Sequence, residues 1–231
     1  MLVGNDVVDL RDPENQPGAI HPRFDERVFT WGERARILAA ASPHRMRWAL
    51  WAAKESAYKV ARKIDPRVCF SPRAFVVQIP GGEIGVRQAS IAEVNHAVGR
   101  FQVWLEGTDE WVHAIASISG TGVAKAGWEL RSLGRAAARR VPGREASERV
   151  RQLARSALAS GLSIVPSDIV IAAAAKRVPR VWWRGRRLAI DLSFSHHGRF
   201  VACAWGRVTE SVSRRRLAGT AALPSGPTRP S

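Results

Sequence analysis

Hydrophobic positions recur along the chain with two periods. From Met46 to Ile64, read at about 100° per residue, Met46, Leu50, Ala53, Ala57, Val60, Ala61 and Ile64 fall on one stripe, which predicts a helix packed on a core. Ser42-Pro43 supplies an N-cap followed by proline at the first helical position, and Asp65-Pro66 stops the run. The opposite face carries Trp48, Trp51, Glu55, Lys59 and Arg62, with Glu55 and Lys59 as i, i+4 neighbours. Two tryptophans beside a Glu–Lys pair do not suit a purely solvated face. The plainer alternative is a helix lying between two structural units, with packed tryptophans and charges at the rim.

The second period is that of strands. Leu2 to Leu10 reads as a strand ended by Asp12-Pro13, with Leu2, Asp6, Val8 and Leu10 on one face and Val3, Val7 and Asp9 on the other. A helix is expected from about Asp25 to Ala41, and strands over Ala74–Ile79, Ile84–Ala89, Phe101–Glu106 and Trp111–Ile118. Gly107-Thr108-Asp109-Glu110 reads as a hairpin connection between the last two. After the linker-like Ser119-Gly120-Thr121-Gly122 the theme repeats loosely. A strand runs to Leu130, then an Arg-rich loop, a helix over Glu145–Ala159, and strands over Ile169–Ala173, Val181–Trp183, Leu188–Phe194 and Phe200–Trp205. The expected fold class is α+β, in two pseudo-symmetric halves that are each an antiparallel sheet with packed helices. The division is 1–119, 120–208 and, from residue 209, a disordered basic tail.

Charge sharpens that division. Residues 1–119 carry 15 Lys and Arg against 14 Asp and Glu, whereas residues 120–231 carry 21 against 6, so nearly all of the net +16 lies in the second half. Such a half attracts polyanions: nucleic acid, a multiply phosphorylated cofactor or an acidic protein. No apolar run approaches the roughly 20 residues that span a bilayer, and the first residues lack the basic segment of a signal peptide. Cys69 and Cys203 form neither a metal-ligand spacing nor a disulfide framework. A cytoplasmic protein without membrane contact is expected.

An acid in the middle of a hydrophobic strand is costly to bury unless it is paired or bound to metal. Asp6 therefore invites a functional reading beside that of a carboxylate capping a backbone N–H, and Asp191 sits similarly inside a later strand. No glycine-rich phosphate loop is present. Ser195-His196 reads first as part of a turn, although hydroxyl and imidazole are both good anion partners. Asp6, Glu55, Lys59 and an Arg-rich partner half suit Mg²⁺-dependent chemistry on a phosphorylated substrate, since Mg²⁺ takes one or two carboxylates together with substrate phosphates and water.

These residues also carry a resemblance. Gly4-Asn5-Asp6-Val7-Val8-Asp9 with Trp51-Ala52-Ala53-Lys54-Glu55-Ser56-Ala57-Tyr58-Lys59 resembles the paired signature of 4'-phosphopantetheinyl transferases, G-x-D and (W/F)-x-x-K-E-(A/S)-x-x-K. Leu192-Ser193-Phe194-Ser195-His196-His197-Gly198 resembles the S-H hairpin of the longer, two-half members, and Lys176-Arg177-Val178-Pro179 resembles their G-K-P segment without its glycine. Relative to those members the two halves stand in exchanged order. The spacing of Asp6 and Asp9 is closer to that of the short members. The resemblance implies transfer of the 4'-phosphopantetheine arm from coenzyme A to a serine of an acidic acyl, peptidyl or polyketide carrier protein, releasing 3',5'-ADP. It implies Mg²⁺ on Asp6 and Glu55, with Asp9 or a water completing the set; Glu55 as base; Lys59 on the pyrophosphate; and Lys54, Arg151, Lys176, Ser195 and His196 on coenzyme A. A monomer is expected. Two alternatives stand beside this reading: a family member without catalysis that serves as a binding or scaffold module, and a basic nucleic-acid-binding protein.

Overall fold

In the computed structural model the described residues are 1–80, 88–134, 143–173 and 178–208. The expected strand over 84–89, the Arg-rich loop, Lys176 and the tail fall wholly or largely outside them. The fold is α+β with antiparallel sheets and, among the described residues, four α-helices. Strand β1 (Val3–Asp9) is followed by α1 (Phe24–Val28), α2 (Trp31–Ala39) and α3 (Pro43–Ile64). Then come β2 (Val76–Gln78), β3 (Ser90–His96), β4 (Gly99–Gly107) and β5 (Trp111–Ile118), in one sheet of order β1-β5-β4-β3-β2.

The remainder contains β6 (Gly127–Ser132), α4 (Gly143–Leu162), β7 (Ile169–Ala173), β8 (Pro179–Trp183), β9 (Arg186–Arg187), β10 (Ile190–His197) and β11 (Phe200–Arg207). These strands form two three-stranded sheets, β10-β11-β6 and β7-β8-β9, where one sheet was expected.

Two of the expected elements change. The single helix over 25–41 is broken after Val28, because Thr30 caps a new helix. Its hydroxyl accepts from the Glu33 N–H while the Glu33 carboxylate accepts from the Thr30 N–H, a capping box. The turn near Ser195-His196 lies further on. His197 pairs with Phe200, so Ser195 to His197 stay in β10 and Gly198-Arg199 turn the chain. Gly198 has the positive φ (+51°) that a two-residue hairpin demands.

Helix α3 buries the expected stripe from Met46 to Ala61, together with Trp48; Ile64, at its end, is exposed. It crosses β1 at Gly4. A Cβ there would lie 2.1 Å from the Ser56 carbonyl oxygen and 3.1 Å from Lys59 Cβ, so only glycine lets helix and strand approach this closely. Gly4→Ala is expected to lower stability by about 1–3 kcal/mol through forced separation of α3 from β1. Denaturant unfolding of that variant checks it; an unchanged midpoint would refute it.

β1 is an edge strand of its own sheet, and its open edge is capped by side chains. The N–H groups of Val3, Asn5, Val7 and Asp9 donate in turn to Asp191 Oδ2, Ser193 Oγ, Ser195 Oγ and His197 Nδ1 of β10, at 2.8, 3.0, 3.1 and 3.1 Å. From α3, Lys63 Nζ donates to the Val3 carbonyl at 2.6 Å and Lys59 Nζ to that of Asn5 at 2.7 Å. An exposed edge would be a template for pairing with another chain; here its donors are consumed every second residue.

Each half has its own apolar core. Small clusters seal the seam between them: Val7 with Phe200 and Ala202, and Ile115 with Val123 and Ala204. The Met1 amino group donates to the Arg207 carbonyl, placing the start of β1 beside the end of β11.

His113 of β5 is wholly buried at this seam, 3.3 Å from the Asn5 amide nitrogen. Burial, and then the Lys59 charge, push its pKa down to about 3. The native state therefore holds His113 neutral while the unfolded chain protonates it below about 6.5, so stability falls as pH drops through that window, by on the order of 3 kcal/mol at pH 4. His113→Gln is expected to be less stable at pH 7 but to show a shallower loss between pH 6.5 and 4. Parallel slopes in urea melts across that range would refute it.

Candidate active site

A cavity of about 310 Å³ opens where α3, β1 and β10 meet, lined by Asp6, Trp48, Trp51, Glu55, Lys59 and the Phe194–His197 segment, with Val7 and Val8 completing the wall. β1 supplies Asp6 because alternation turns it toward α3, and α3 supplies Glu55 and Lys59 one turn apart. Asp6 Oδ1 accepts from Lys59 Nζ and from Ser195 Oγ, both at 2.9 Å, while Asp6 Oδ2 accepts no hydrogen bond among the described residues. Trp48 and Trp51 form one wall, braced by Phe24 of α1 with ring centroids 5.6 and 5.7 Å away. The Trp48 indole N–H donates to the Asn15 carbonyl.

The Glu55 carboxylate accepts no hydrogen bond among the described residues. Burial first, and then the Asp6 charge, raise its pKa to about 7, with Lys59 pulling the other way. Two carboxylates held close together with one of them reluctant to ionise form a donor set that a divalent cation would satisfy. Among the described residues no group of three or more His, Cys, Asp or Glu is arranged to hold a metal. A pair of carboxylates that leaves positions for water and substrate phosphate nevertheless fits Mg²⁺, a hard oxygen-seeking ion. His196 also faces the cavity. Burial, Lys59 and His197 keep its pKa below the usual histidine value, so at neutral pH it offers a neutral N–H to an anion. The N–H of Asp9 donates to His197 Nδ1, which leaves the His197 ring proton on Nε2 when that ring is neutral.

Three of the residues expected here do other work or lie elsewhere. Lys54 is fully buried on another side of α3. Its Nζ donates to Glu33 Oε1 and Oε2 at 2.7 and 2.9 Å and to the carbonyls of Pro72 and Phe75 at 3.1 and 2.6 Å, so it has nothing left for coenzyme A. Asp9 is equally committed. Burial opposes its ionisation, but hydrogen bonds from the Arg199 side chain and backbone and from the Arg11 N–H outweigh that and hold its carboxyl below the usual range. With both oxygens engaged, Asp9 anchors the β10–β11 turn.

Arg151 lies on α4, where its guanidinium donates to the Ser147 carbonyl at 2.9 Å, and it does not line the cavity. Lys176 lies outside the described residues. Asp191, whose position inside a strand resembled that of Asp6, is paired with Lys63 at 2.7 Å and closes the far end of the β1 edge. The two buried acids therefore share a pattern but not a role.

Carboxylates, an ammonium and a neutral imidazole thus surround one cavity. The family model of the 4'-phosphopantetheinyl transferase superfamily matches residues 2–116, the segment that contributes β1 and α3, and the chain belongs to that superfamily. Its members are transferases that move phosphopantetheine from coenzyme A to carrier proteins. No curated protein matches the chain. No helix among the described residues is long and apolar enough to cross a membrane.

Proposed function

We propose that this chain transfers the 4'-phosphopantetheine arm of coenzyme A to a serine hydroxyl of an acyl, peptidyl or polyketide carrier protein in the cytoplasm, releasing 3',5'-ADP. The convergence of Asp6, Glu55 and Lys59 on one cavity, with Glu55 raised to about 7, carries this reading. Asp6 and Glu55 would hold Mg²⁺, which supplies charge compensation on the pyrophosphate.

Glu55 accepts the proton of the carrier serine as its oxygen bonds to phosphorus. The bond from that phosphorus to the bridging oxygen breaks, and 3',5'-ADP leaves with the negative charge. Lys59, fixed by Asn5 and Asp6, stabilises the charge that develops there. His196 contacts a coenzyme A phosphate through its N–H. The wall of Trp48 and Trp51 excludes water from one side. The basic half, 120–208, draws in the acidic carrier and raises its encounter rate. Because Asp6 and Glu55 come from residues 1–119 and His196 from 120–208, a single monomer carries a complete site.

The test is intact-mass spectrometry of apo carrier proteins incubated with the enzyme, coenzyme A and Mg²⁺. A gain of about 340 Da, one phosphopantetheine arm on a serine, is the expected result. Retained coenzyme A binding with no gain on carriers of all three classes would support a scaffold member of the family instead.

A further inference from the structure

The S-H pair of β10 is expected from the resemblance to meet the co-substrate phosphates with both residues. The geometry separates them. We infer that Ser195 is a positioning residue for the Asp6 carboxylate and not a ligand of coenzyme A; this rests on the reading of Asp6 as a metal ligand given above.

The Ser195 hydroxyl is buried and used in both senses. It accepts from the Val7 N–H at 3.1 Å and donates its single proton to Asp6 Oδ1 at 2.9 Å. A phosphate contributes only acceptors toward a hydroxyl, so Ser195 could reach one only by giving up Asp6. Lys59 donates to the same Oδ1. Two donors on one oxygen fix the rotation of the carboxylate and leave Oδ2 as the atom offered to a cation, the arrangement by which partners behind a ligand set its orientation.

The placement follows from the side-chain ladder. Asp191, Ser193, Ser195 and His197 meet Val3, Asn5, Val7 and Asp9 with one constant offset, so the register that satisfies the β1 edge also brings one hydroxyl beside Asp6. The Ser193 hydroxyl, one rung away, bonds only the Asn5 N–H among the described residues. The second half of the chain, outside the segment matched by the family model, thus completes the carboxylate site of the first.

The experiment compares wild type, Ser195→Ala, Ser195→Thr and Ser193→Ala in two binding measurements. One is Mn²⁺ affinity from the free-ion paramagnetic signal without coenzyme A; the other is coenzyme A affinity by calorimetry in chelator. Ser195→Ala is expected to weaken Mn²⁺ binding by about 10-fold or more, with coenzyme A affinity within about twofold of wild type. Ser195→Thr restores Mn²⁺ binding by keeping the hydroxyl. Ser193→Ala controls for the lost rung: it lowers thermal stability as Ser195→Ala does, yet leaves Mn²⁺ affinity unchanged.

Weaker coenzyme A binding with unchanged Mn²⁺ affinity in Ser195→Ala would overturn the inference and return Ser195 to the phosphates. Equal losses of Mn²⁺ affinity in Ser193→Ala and Ser195→Ala would overturn it as well, by making the effect one of general loosening. Absence of Mn²⁺ binding in wild type would instead remove the metal reading of Asp6, and the inference with it.

Discussion

Glu55→Gln is expected to reduce arm transfer by about 10²–10⁴-fold while leaving the protein folded. Glutamine keeps the shape and an oxygen but cannot take the serine proton, and it removes one of the two charges offered to Mg²⁺. Stability should move the other way. In the wild type without a cation, burial and Asp6 raise the Glu55 pKa from 4.5 to about 7. The folded state therefore holds its proton longer than the unfolded chain, and stability declines as pH rises from about 4.5 to 7. Glutamine removes that decline. After allowance for the partly exposed side chain, the variant should be more stable than wild type in chelator at pH 8 by on the order of 1–2 kcal/mol. Added Mg²⁺ should narrow the difference, because the cation stabilises only the wild-type pair. Transfer at the wild-type rate, or a variant less stable than wild type at pH 8 in chelator, would sink the assignment. The pairing of lost turnover with gained stability marks a residue kept for chemistry against the interest of the fold.

Asp6, Glu55 and Lys59 were legible in the sequence because two periodicities converge on them. A strand that turns an acid toward the core needs a partner there. A helix with tryptophans beside a Glu–Lys pair supplies one, and the structure places both at one cavity. Three other features depended on signals that were present but unweighted. The capping box Thr30-x-x-Glu33 breaks what the hydrophobic pattern joins into one helix. The polar alternation Asp191-x-Ser193-x-Ser195-x-His197 inside an apolar strand marks a face whose partner is another strand's backbone. The five-residue separation of Lys54 and Lys59 puts them roughly 140° apart around a helix, so both could not face one ligand. β3 offered little to read, since only Ala92 and Val94 are buried and Ile91 is exposed. What no pattern could supply is the register of β10 against β1. It joins residues 188 apart and is fixed by the packing of the two halves.

The second large effect falls on Lys54, and it is one of stability alone. Lys54 and Glu33 are both buried, and their pair ties together four elements. Glu33 Oε1 also accepts from the Val77 N–H at 2.8 Å and Glu33 Oε2 from Thr30 at 2.7 Å, while Lys54 holds the Pro72 and Phe75 carbonyls. Burial holds the Lys54 ammonium below its usual pKa, and Glu33 opposes that, so the charged pair persists only because it is a pair. Lys54→Met leaves the Glu33 carboxylate buried without its cation, which costs about 3–5 kcal/mol. At the usual scaling for a chain of this size the melting temperature falls by roughly 6–20 °C. Glu33→Gln combined with Lys54→Met removes both charges and should recover much of the loss, since two uncharged side chains of similar volume cost less there than one stranded ion. At a temperature where the single variant is still folded, its KM for coenzyme A should equal that of wild type, because no atom of Lys54 reaches the cavity. A raised KM with an unchanged melting temperature would put Lys54 back on the co-substrate, as the resemblance alone implies. The opposite pair of results would separate two lysines of one helix, Lys59 serving the reaction and Lys54 the core beneath it.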